Sequence, residues 1–130
     1  MEQKLFSKLI IEFIERNYPE FIKTIKHQDD GSFDCDLKSD SGIFSIWIAT
    51  YNSEITIGIE DPTGQNNIHT HISCYEIEDL KSCTTELSKY IENIKADKLI
   101  LYKDKDGKYD WIESSEFKNQ DGSKKFSWKK

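Results

Sequence analysis

No run of this 130-residue sequence comes near the roughly eighteen consecutive apolar residues that cross a bilayer. The start, Met1-Glu2-Gln3-Lys4, lacks the basic stretch and apolar run of a secretory signal. Both absences lead us to expect a cytoplasmic protein with no membrane partner. Cysteine is scarce: Cys35, Cys74 and Cys83 are odd in number and unpaired in spacing. This excludes a disulfide-framework domain and fits reduced thiols. There is no Walker loop, no dinucleotide-binding glycine pattern, no Cys-x-x-Cys and no Gly-x-Ser-x-Gly, so the motif-bearing enzyme classes are unsupported. Basic residues are missing where they would count most. Between Asp29 and Leu80 eleven residues are Asp or Glu and one, Lys38, is basic, whereas the flanking segments carry a slight positive excess. Such a stretch repels phosphates and attracts cations, which argues against nucleic acid and for a basic protein partner.

What is present is enough for one domain: 36% hydrophobic and 12% aromatic residues can fill a single core without metal or disulfide support. Leu5, Phe6, Leu9, Ile10, Phe13 and Ile14 recur at helical spacing, and Pro19 marks the end of that helix. Phe21, Ile22 and Ile25 suggest a short second helix. After Asp29-Asp30-Gly31 the period changes to two. Strands are expected at Phe33–Leu37, Ile43–Thr50, Ile55–Ile59 and Ile68–Ile72, joined by turns at Ser39–Gly42 and Asn52-Ser53 and by a loop from Asp61. Ile77, Leu80, Thr84, Leu87, Ile91 and Ile94 predict a helix from Ile77 to Lys95. Strands at Lys98–Tyr102 and Tyr109–Glu113 flank the turn Asp104-Lys105-Asp106-Gly107.

The expected architecture is therefore α+β: an N-terminal helix, a four-stranded antiparallel meander, a long helix and a C-terminal β-hairpin. Residues 114–130 form either a loose tail or one more hairpin. Both helices need a surface for their apolar stripes, and one face of the sheet supplies it. Phe33, Cys35, Phe44, Ile46, Ile48, Ile55, Ile57, Ile59, Ile68 and Ile72 are assigned to that face. The opposite face then presents Asp34, Asp36, Trp47, Glu54, Glu60, His69 and His71.

His69-Thr70-His71 is the best catalytic candidate, since imidazoles at i and i+2 of a strand point the same way and suit a shared zinc or iron. A third ligand would have to come from Glu54, Glu60 or His27. Acid–base work by either histidine against Glu54 is the other enzymatic option. Polar residues on a wet sheet face explain both histidines more simply. The cysteines read as inert, and Asp104-x-Asp106-Gly107 fails as a calcium loop because Tyr109 stands where the sharp-turn glycine belongs.

Glu54-Ile-Thr-Ile-Gly-Ile-Glu60 followed by Ile68-His-Thr-His-Ile72 resembles small bacterial immunity proteins of polymorphic toxin systems, several of which run from an acidic strand end through a His-Thr-His strand into a long helix. The likeness covers about a third of the chain. Here the connection Asp61–Asn67 is longer, and Ile68 stands where that pattern has an aromatic. The resemblance implies a non-enzymatic protein that binds and blocks a cognate toxin. On this reading Asp34, Asp36, Trp47, Glu54, Glu60 and Asp61 contact a basic toxin, with His69 and His71 at the edge, and no metal or cofactor is needed. The alternatives are a small metal-dependent or acid–base enzyme using His69 and His71, and a subunit whose open sheet face serves a homodimer.

Overall fold

The computed structural model describes residues 1–120 and 122–130. It is α+β, in two antiparallel sheets and two long helices. Helix α1 (Gln3–Asn17) starts where the Glu2 carboxylate accepts hydrogen bonds from the amides of Lys4 and Leu5, at 2.9 and 3.0 Å. It stops at Tyr18, the residue before Pro19. Phe6, Ile10 and Ile14, one turn apart, are fully buried. Strands β1 (Lys26–His27), β2 (Phe33–Lys38), β3 (Ser45–Ala49), β4 (Glu54–Glu60) and β5 (Ile68–Ser73) form the first sheet in that order. Helix α2 (Leu80–Lys95) follows. Strands β6 (Leu99–Lys103), β7 (Tyr109–Glu113) and β8 (Lys124–Phe126) make a second sheet, ordered β7-β6-β8.

The first sheet thus has five strands where four were expected, because Lys26 and His27 pair with Asp34 and Phe33. The expected second helix is a 3-10 turn, Pro19–Thr24. Its last residue, Thr24, accepts the amide of Asp36 and donates to the Asp36 carbonyl, both at 2.8 Å. That hydroxyl continues the ladder on the edge of β2 beyond the short β1. Strand β3 is shorter than its apolar run. The Ser39 hydroxyl draws the amides of Ile43 and Phe44 into the preceding turn, and at the other end the Thr50 hydroxyl accepts the Phe33 amide in place of a main-chain carbonyl. The described residues after Glu113 are more structured than a loose tail. β8 completes the second sheet, and Trp128 is buried edge-on against Phe44 with ring centroids 5.8 Å apart.

All ten side chains assigned to the inner face are buried, the most accessible being Ile68 at 6%. They form one cluster with α1, with Cys83, Leu87, Ile91 and Ile94 of α2, and with Leu101, Tyr109 and Trp128 of the C-terminal region. Ile77 departs from the expected helical stripe. It lies in a 3-10 turn, Ile77–Asp79, whose tighter winding breaks the phase of the following helix, and it is 57% exposed. At the other end of α2, Asp97 takes a left-handed conformation (φ 58°). The amides of Asp97 and Lys98 return to the carbonyls of Ile94 and Asn93, a Schellman ending with Asp where Gly is usual.

Candidate functional site: the outer face of the first sheet

The pairing register places the expected site residues on one side of the sheet. Asp36, Trp47, Gly58 and His69 form one row across β2 to β5; Asp34, Ala49, Thr56 and His71 form the next. Glu60 pairs with Ser45, and Glu54 with Ser73, toward opposite ends of the sheet. Gly58 stands between Trp47 and His69, so the indole has no side chain beside it on β4. A Cβ there would sit 2.1 Å from the Ile68 carbonyl oxygen and 2.8 Å from the His69 Cβ. Only glycine lets β5 approach this closely.

At one end of the face Glu54, Thr56 and His71 come together. The His71 Nδ1 lies 2.9 Å from the Thr56 hydroxyl and 3.2 Å from the Glu54 carboxylate. The His69 ring meets His71 edge-on, centroids 4.9 Å apart, and its Nδ1 is buried with no hydrogen-bond partner among the described residues. Thr56 was not singled out from the sequence. Its position two residues from Glu54 on the same face was the available signal. Carboxylate and hydroxyl crowd the same ring nitrogen, whereas a relay through imidazole needs them on opposite nitrogens. Thr56 is also only 5% exposed, which keeps its hydroxyl from a substrate. The candidate third metal ligands are dispersed: His27 is four strands away on β1, and Glu60 is at the far end of β4 from Glu54. Among the described residues no group of three His, Cys, Asp or Glu side chains is placed to share an ion.

The acidic residues spread further than the charge count suggests. Glu54 and Glu60 are separated by the length of β4, about 20 Å at ~3.4 Å per residue. Two lysines share the face: Lys26 in register with Asp34, and Lys38 with Ser45. Asp34 also accepts a hydrogen bond from the Gln28 side chain at 2.8 Å. Asp61, expected to contact a partner, is turned inward instead. It is 4% exposed, and its carboxylate accepts the amides of Thr63, Gly64 and Asn66 and the Thr63 hydroxyl. Burial would raise its pKa, but these bonds from Thr63 and Asn66 outweigh it and hold the carboxyl below its ordinary value.

Cys35 and Cys83 are poorly disposed to act as nucleophiles. Burial pushes Cys35 up to about 12, helped by the charges of Asp36 and Asp34. Burial and the neighbouring Cys74 thiol likewise push Cys83 up to about 12. Beside β5 an open cleft of about 1400 Å³ runs between α2 and the second sheet, lined by His69, Lys81, Lys89, Tyr90, Trp111 and Glu113 among others. Tyr90 and Trp111 stack across its wall, 5.8 Å between centroids. No described helix is long and apolar enough to cross a membrane. The chain matches no family model, no curated protein and no solved structure.

Proposed function

We propose that the chain is a non-enzymatic protein-binding module of the immunity type, which neutralises a basic bacterial toxin in the cytoplasm through the outer face of its first sheet. The observation that carries this is the row Asp36–Trp47–Gly58–His69. It sets a half-buried indole between the Asp36 carboxylate on one side and, across Gly58, His69 on the other, the anatomy of an interface anchor with a charged neighbour at its rim. Asp34, Glu54, Glu60 and His71 supply the rest of the contact. Asp61 acts indirectly, by holding the loop after β4. Nucleic acid and membrane surfaces are disfavoured as partners by the same negative charge.

Reversing Glu54 and Glu60 to Lys tests this on the one-to-one complex recovered from the source organism. Association should slow by about ten-fold at low salt, with most of that difference disappearing as salt is raised, because rim charges act mainly on encounter. An unchanged association rate removes this face as the interface. The alternative, a small metal-dependent or acid–base enzyme using His69 and His71, has one observation in its favour, the unpartnered Nδ1 of His69. It comes second because the third donor and the relay geometry are both missing among the described residues.

A further inference from the structure

The two edges of the first sheet are finished differently. On one side β1 is only two residues long and carries Lys26, and beyond it the Thr24 hydroxyl occupies the edge of β2. Short edge strands, lysine and side-chain cover are the usual guards against unwanted strand pairing. On the other side β5 runs for six residues, Ile68 to Ser73, with no Lys, Pro or Gly in it and no bulge in its register with β4. Strand β4 is its one hydrogen-bonded neighbour among the described residues.

The phase of the ladder shows which main-chain groups this leaves free. The Thr50 amide donates to the Phe33 carbonyl, so Ile46 and Ile48 of β3 bond to β2, while Ser45, Trp47 and Ala49 bond to β4. Carried across β4, the same alternation turns Ile68, Thr70 and Ile72 toward Ile59, Ile57 and Ile55. It points the amides and carbonyls of His69, His71 and Ser73 away from the sheet. The Ser73 carbonyl agrees, since it accepts the Cys83 thiol at 3.1 Å. His69 and His71 thus present a row of donors and acceptors that no described residue outside the sheet meets with its main chain.

That edge opens on the cleft of about 1400 Å³, which His69 and Thr70 line. Across it stands β7, an edge of the second sheet, which comes within 8 Å of β5 without pairing to it. A strand takes ~3.4 Å of length per residue, ~4.8 Å in the pairing direction and ~10 Å between layers, so about six residues fill roughly 1000 Å³. The cleft therefore has room for one extended segment. A second copy paired at β5 would bring its own β7 against this one. Tyr90 and Trp111, stacked on the wall, offer an apolar seat to alternate side chains of such a segment. Lys81, Lys89 and Lys98 are balanced there by Glu78, Glu86 and Glu113, so the cleft selects no sign of charge.

We propose that the free edge of β5 is a strand-addition site. An extended segment of a partner protein pairs its main chain with His69 and His71 and seats alternate apolar side chains on Tyr90 and Trp111. This contact uses the main chain of β5, whereas the sheet-face reading uses side chains, and neither depends on the other.

The test titrates the whole chain with the capped peptide Lys-Thr-Val-Thr-Val-Thr-Lys, followed by calorimetry and by amide exchange. The wild type should bind it, with exchange at His69 and His71 slowed at least about ten-fold at saturation. The same peptide N-methylated at its five central residues has no amide donors there and should not bind. His71→Pro deletes one outward amide without touching the bonds to β4 and should weaken binding by about ten-fold or more. His71→Ala keeps that amide and should bind as the wild type does. Trp111→Ala should weaken binding by about ten-fold, the scale of losing one anchor. The proposal is overturned if the wild type ignores millimolar peptide, if the methylated peptide binds equally well, or if protection appears away from β5. It is equally overturned if His71→Ala loses as much as His71→Pro, or if sedimentation shows a dimer that His71→Pro dissolves, since the occupant is then a second copy. Trp47→Ala and Glu60→Lys should bind the peptide normally. Loss in those two alone puts the peptide on the sheet face and sinks the strand-addition site. Should His71→Pro fail to fold, the methylated peptide still decides.

Discussion

At the scale of single residues, Asp61 shows how a charge can be spent inside a protein. Its carboxylate organises the loop from Pro62 to Asn66 through four hydrogen bonds and has little contact with solvent. Asp61→Ala should cost about 1–3 kcal/mol at neutral pH, the penalty of leaving several donors without their acceptor. The pH dependence follows from the depressed pKa. Above the ordinary Asp value, about 3.9, both folded and unfolded chains are ionised and the full stabilisation is present. Between that value and the lower folded pKa the unfolded chain takes up the proton first. Stability therefore falls with falling pH, and it is lost as pH drops through the folded pKa. Urea unfolding at a series of pH values should show the gap between wild type and Asp61→Ala closing in that acid window; a constant gap would contradict the role. Nothing in the sequence Glu60-Asp61-Pro62 distinguishes an inward Asp from an outward one. At Asp34, Asp36, Glu54 and Glu60 the strand period made the outward direction legible, and at Asp61 the period had already ended.

At the scale of elements, one buried hydroxyl links α1 to the sheet alongside the Gln3 side chain. Thr50 has no exposed surface; its Oγ accepts the Phe33 amide at 3.0 Å and shares a hydrogen bond with Ser7 at 2.9 Å. Thr50→Val keeps the shape and removes the acceptor, so it should destabilise by about 1–3 kcal/mol. The accompanying sign would be faster amide exchange at Phe33, with exchange in α2 unchanged relative to global stability. Equal stability of the variant would mean that the amide finds another partner. The helices and the long strands were readable from sequence because each buries a stripe of regular period. The two-residue β1, the 3-10 turn at Pro19–Thr24 and the shortened β3 were not readable. Each is set by a side-chain hydroxyl or by a partner strand distant in sequence, which local periodicity cannot encode.

At the scale of the whole molecule, the C-terminal segment returns to lock the two sheets together. Trp128 is 3% exposed and packs on Phe44. Its amide donates to Asp97 at 2.6 Å, and its carbonyl accepts the Ser41 amide at 2.9 Å. Trp128→Ala should therefore cost about 3–5 kcal/mol, as truncating a buried Trp does. Unfolding should remain a single transition, because Trp128 belongs to the same core as both helices. Separate melting of the second sheet would show that it is an independent unit. The charge map also belongs to this scale: the strongly acidic middle of the sequence reaches both the outer face and the Asp61 loop, and only the first of these could be inferred before folding.

By itself the sequence determined which side chains face inward along each long strand and helix, and therefore that Asp34, Asp36, Trp47, Glu54, Glu60, His69 and His71 share the outer face. A period of two or of 3.6 residues fixes direction, and burying apolar area leaves one choice of inside. Only the tertiary structure decided which residues become neighbours. It set Trp47 and His69 on either side of Gly58, drew Glu54 and Thr56 onto one nitrogen of His71, and turned Asp61 inward. It also sent Trp128 back across the fold to Phe44. Those neighbours come from strand register and from contacts between distant segments, which depend on the packing of the whole chain.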